Sequence, residues 1–129
     1  MVSFVLPLHI TVGVLLLAGT LALSIWAFVL NRRQASLTAG FWRFGRAVAG
    51  LLALQIVFGI VMLIGKAPLA TPLHLMYAFL VLLGVGVHES FGRRARKEPK
   101  AGDASVAMFM AVMWFILCLL TLRAAMTGG

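Results

Sequence analysis

Acid is scarce in this chain: among 129 residues only Glu89, Glu98 and Asp103 are acidic, the first at the end of the third apolar segment and the other two in the loop between the third and the fourth. No carboxylate relay can therefore cross a bilayer, which argues against an ion or proton transporter. Cysteine is nearly absent too. With Cys118 alone there is no internal disulfide, no CxxC redox pair and no cysteine-based zinc site. Inside an apolar run it reads as a small packing residue. Charge of any kind is sparse at 11%, against about 25% in soluble domains, and 63% of residues are hydrophobic. An ordinary soluble domain and a disordered chain are both excluded. Basic residues are also missing from Met1–Pro7, and the apolar run behind them is long enough to span, so a cleaved signal peptide is not expected.

What the chain does have is four apolar runs, at about 4–30, 44–65, 73–91 and 104–125. About 20 apolar residues cross a bilayer as a helix, and only helices or closed barrels satisfy their backbone there. The expected fold is an all-α membrane protein, one four-helix transmembrane domain over residues 1–129, with up-down-up-down topology. Pro72 suits the first turn of the third helix. Eight of eleven Lys and Arg residues lie in the connectors 31–43 and 92–103 and a ninth, Arg46, just past the first; Lys66 and Arg123 are the exceptions. The positive-inside rule places both connectors in the cytoplasm and both termini outside, in the cell (inner) membrane. Trp26, Phe41, Trp42 and Phe91 are then expected at the inner interface. The net charge of +8 reads as topology signal and affinity for anionic lipid, not as a nucleic-acid surface.

Small and polar residues mark contact faces in lipid. They form stripes at His9, Gly13, Thr20 and Ser24; at Gly45, Ala49, Leu52, Gln55, Gly59 and Met62; and at His74, Ala78, Val81, Val85 and His88. A weaker stripe runs through Met108, Ala111, Phe115 and Cys118. His9 and His74 open the first and third spans, so both imidazoles are expected at the same outer depth. Such a pair is what a bis-histidine haem requires. Gly13, Gly59 and Ala78 offer clearance nearby, and they read equally as close-packing residues.

The block Leu54-Gln55-Ile56-Val57-Phe58-Gly59-Ile60, followed by Pro68 and Pro72-Leu73-His74-Leu75-Met76-Tyr77-Ala78, resembles the haem A synthase family. The resemblance covers about residues 5–90, one four-helix half of the longer members. It implies haem binding, with His74 as a ligand and Gln55 and Gly59 in its surroundings. His9 is flanked by Pro7, Leu8 and Ile10, without the family's carboxylate and arginine, and the family's cysteine pair is absent. The resemblance therefore extends to haem carriage and stops short of the hydroxylating chemistry, leaving enzymatic activity open with the balance against it.

The leading expectation is one haem b per chain, with His9 and His74 as axial metal ligands and Gly13, Gln55, Gly59 and Ala78 around it. Its role would be electron transfer or haem handling beside a respiratory oxidase. The alternative is a haem-free accessory or assembly subunit of a respiratory membrane complex. Membrane lipids are expected partners, a homodimer is left open, and nucleic acid is not expected. His88 lies fourteen residues beyond His74, but position 23, equally far beyond His9, is Leu23. A second haem is therefore not expected, and interfacial water is expected to satisfy His88.

Overall fold

The computed structural model describes residues 2–33, 35, 37–65, 72–97 and 104–127, which form four helices: α1 (Val2–Arg32), α2 (Ala39–Ile64), α3 (Leu73–Lys97) and α4 (Ala104–Thr127). All four are long and apolar enough to cross a membrane, with mean hydropathies from 1.5 to 2.6. The connector holding Lys66 and Pro68, and the stretch 98–103 of the second basic loop, lie outside the described residues.

The helices run past the expected ends, for local reasons. α2 starts at Ala39, five residues before Phe44, because the Thr38 side chain accepts from the Phe41 backbone N–H and caps the helix. Phe41 and Trp42 are thereby carried into the bundle. α3 continues six residues beyond Phe91 to Lys97; no proline intervenes before Pro99, and Glu89 meets Arg93 one turn on at 3.7 Å. In α1, Pro7 lies within the helix, and the Thr11 hydroxyl donates to its carbonyl at 2.8 Å.

α1 packs against α2 and α4, and α3 packs against α4 and, more sparingly, α2. α1 and α3 are thus diagonal neighbours across the bundle axis. The core takes in part of the small and polar stripes, Thr20 and Ser24 of α1, Leu52 of α2, and Val81, Val85 and His88 of α3, and adds Leu16, Leu23 and Ala27 of α1 and Val48 of α2 beside them. The Ser24 hydroxyl donates to the Ala111 carbonyl at 2.8 Å, tying α1 to α4 through a buried bond.

Two expectations about packing need correction. Met108 and Phe115 point out of the bundle, at 43% and 51% exposure, and the inward face of α4 is Ala107, Met110, Ala111, Trp114, Leu117, Cys118 and Thr121. A helix apolar all round carries no moment from which its inward face can be read. The fully buried Trp114 decides its rotation. Nor do Phe41 and Trp42 face outward. Both are buried, and Trp26 packs edge-on against Phe41 with ring centroids 5.8 Å apart.

Candidate functional site

His9 enters from the first turns of α1, His74 from the first turn of α3, and Gln55 from α2 between them. Although α1 and α3 are diagonal, the two imidazole centroids stand 6.2 Å apart, with planes tilted by 59°. A first-row metal–imidazole bond is about 2.0–2.1 Å. A metal atom held between two imidazole nitrogens therefore sets the ring centroids roughly 6 Å apart.

The ring protons can be assigned from the partners. His74 Nδ1 lies 2.7 Å from the Ala124 carbonyl of α4. A carbonyl only accepts, so Nδ1–H donates and the lone pair is on Nε2, the nitrogen left for a metal. At His9, the Gln55 amide donates through Nε2 to the ring Nε2 at 3.4 Å, which puts the His9 proton on Nδ1. That Nδ1 and the Gln55 Oε1 are both buried without a hydrogen-bond partner. Unpaired buried polar atoms are costly and need a reason, and two in one contact mark a site built for more than packing.

Gly13 and Gly59 make room for these polar side chains. A Cβ at Gly13 would stand 3.0 Å from Gln55 Nε2, and one at Gly59 would stand 3.6 Å from His9 Cε1. The space that both glycines leave is thus filled by Gln55 and His9 themselves. Ala78 is half-buried on α3, one turn along from His74. The structure brings His9, His74 and Gln55 together, with Gly13 and Gly59 behind them.

The donor set discriminates between ligands. Two neutral nitrogens fall short of the four donors of a structural zinc ion, and no group of three or more His, Cys, Asp or Glu gathers among the described residues. A haem brings its own four equatorial nitrogens and asks the protein for two axial ones. The His9–His74 pair matches that demand in number and in ring-centroid separation, with His9 Nε2 engaged by the Gln55 amide. Seating a macrocycle would require the bundle to part along α2 and α3, its most sparingly packed pair.

His88 occupies a different setting from the hydrated one expected. It is 2% exposed, ringed by Phe41, Trp42 and Trp114 at centroid distances of 5.5, 5.0 and 4.9 Å. The Trp114 indole N–H donates to His88 Nδ1 at 3.0 Å, so the His88 proton is on Nε2. Nε2 points at the α2 backbone beside Trp42 and Gly45 without reaching hydrogen-bond geometry. Just beyond, Glu89 receives a two-point contact from Arg46, at 3.0 and 3.5 Å, which joins α2 to α3.

The contributions of Trp114 and of the Ala124 carbonyl are not apparent from composition or motif. The glycines of α2 mark where imidazoles come close: Gly45 stands against His88 of α3 and Gly59 against His9 of α1. Each glycine receives one imidazole.

No family model matches the chain, and no curated protein or solved structure does.

Proposed function

We propose that this chain is an integral membrane haem b protein in which His9 and His74 supply the two axial nitrogens to one haem. The observation that carries the reading is the pair of imidazoles 6.2 Å apart across the bundle. A haem bound there supplies reversible one-electron chemistry, and two saturated axial positions favour electron transfer over oxygen activation. The protein's part is to hold and orient. The Ala124 carbonyl keeps the His74 proton on Nδ1 and leaves the lone pair on Nε2. Gln55 is the positioning residue for His9, its amide meeting His9 Nε2 at 3.4 Å and so orienting the ring that would hold the haem. Gly13 and Gly59 allow both side chains to sit against the helix backbones, and Ala78 keeps the α3 wall low. The resemblance of the Gln55–Ala78 block to haem A synthases supports haem carriage, and the missing acid beside His9 argues for carriage without hydroxylation.

The proposed topology is up-down-up-down with both termini extracytoplasmic, so that His9 and His74 lie near the outer face of the cell (inner) membrane. The basic connectors support this orientation. Electron transfer or haem handling beside a respiratory oxidase is the role we assign. One observation favours a second reading, a haem-free accessory subunit: Gln55 and His9 already fill the clearances at Gly13 and Gly59.

The absorption spectrum of the detergent-purified protein separates the two. The haem reading expects a sharp Soret band and a reduced α-band that His9→Ala and His74→Ala each abolish while His88→Ala keeps them. A blank spectrum with full helicity, or an unchanged spectrum in either outer variant, overturns it.

A further inference from the structure

Away from the histidines, the outer surface of α1 and α2 carries a groove of about 360 Å³. Its walls include Leu15, Ala18 and Ala22 on α1 and Phe44, Ala47 and Leu51 on α2, and its lining is almost wholly carbon. The two helices close tightly beneath it, where a Cβ at Gly19 would come within 2.8 Å of Val48. Alanines at positions 18, 22 and 47 keep the rims low, and Leu15 and Phe44 are 51% and 37% exposed along it. From Leu15 to Ala22 the groove runs about 10 Å along the helix axis, room for much of one extended acyl chain.

Charge stands at one end only. Arg43 precedes the lining Phe44 and lies one turn from Ala47. Arg33, in the turn that follows α1, continues the face on which Ala22 lies, eleven residues or about three turns on. Arg32, Arg33 and Arg43 are exposed, and no ion pair involves them among the described residues. Glu89 is already shared by Arg46 and Arg93. A second copy of the chain seated here by a two-fold axis would set these arginines against their equivalents. The occupant that fits is an amphiphile with an apolar tail and a negative head.

We infer that the α1–α2 groove is a binding site for one anionic phospholipid, its acyl chain between Leu15 and Phe44 and its phosphate at Arg43 and Arg33. This site is independent of the histidine pair. An arginine near an anionic head group is worth about fivefold in affinity, so removing both should erase most of the head-group preference. The test is native mass spectrometry of the full chain after equilibration with equal amounts of phosphatidylglycerol and phosphatidylcholine. Wild type should retain one phosphatidylglycerol, at least fivefold over phosphatidylcholine. Arg33→Gln/Arg43→Gln should reduce that preference, and Ala22→Leu/Ala47→Leu, which fills the groove, should lower retention of both lipids. Equal retention by wild type, or an unchanged preference in the arginine variant, overturns the site. So does undiminished retention in a groove-filled variant of native helicity; if that variant does not fold, the arginine variant decides alone.

Discussion

Replacing Gly45 by alanine tests the packing around His88. A Cβ at this position would overlap Nε2 and Cε1 of His88 and stand 2.9 Å from Cδ2. The imidazole has nowhere to retreat, since Phe41, Trp42 and Trp114 surround it and the Trp114 indole N–H holds Nδ1. Overpacking a filled interior costs about 1–3 kcal/mol. Displacing the ring also breaks the indole–imidazole bond, worth about 1 kcal/mol. Gly45→Ala should therefore destabilise the bundle by about 2–4 kcal/mol. Gly50→Ala and Gly86→Ala are the controls: a Cβ at either meets nothing within 4 Å. Both should be neutral or slightly stabilising, because alanine is the better helix former. Reversible unfolding in mixed micelles, followed by far-UV circular dichroism, measures all three. His88→Ala on its own leaves a cavity and an unpaired indole N–H, yet it should remove the clash that Gly45→Ala creates. The double variant should therefore fall short of the summed losses by about 1–3 kcal/mol. A Gly45→Ala protein as stable as Gly50→Ala, or strictly additive losses in the double variant, would refute the argument.

Three other outcomes follow from the same structure. Ser24→Ala removes the buried bond to the Ala111 carbonyl and should cost about 0.6–1.7 kcal/mol, the range for interhelical bonds in membranes, by the same unfolding assay. In a Cys118→Ala background, Ala35→Cys should react with an impermeant thiol reagent only from the cytoplasmic side and Gly65→Cys only from outside. The reverse pattern would invert the proposed orientation. Gln55→Leu should shift the reduced haem spectrum without abolishing it, since Gln55 orients His9 and is not itself a ligand; complete loss would make it indispensable.

The four apolar runs were legible because membrane-spanning helices must be long and apolar, and the largest shifts of helix ends came where a cap (Thr38) or an ion pair (Glu89–Arg93) reached past the run. The Thr38 cap and the burial of Phe41 show why the start of α2 was misread: aromatic residues beside arginines look interfacial until a tertiary pocket accepts them. Stripes on α1, α2 and α3 could be read because glycine, serine and histidine interrupt the apolar pattern. α4 offers few such interruptions, so the role of Trp114 depended on His88, which is distant in sequence. The approach of His9 to His74 was legible only coarsely, as one histidine near the start of each of two alternate helices, seven residues beyond Val2 and one beyond Leu73. The contacts that select their nitrogens were not, because one is a backbone carbonyl, Ala124, that no side-chain motif records.

Haem content per chain tests the central claim most directly. A pyridine haemochrome assay against protein concentration should give one haem per wild-type chain and none in His9→Ala or His74→Ala of native helicity. A ratio near zero in wild type would contradict the haem reading. A ratio near two would contradict the single His9–His74 site.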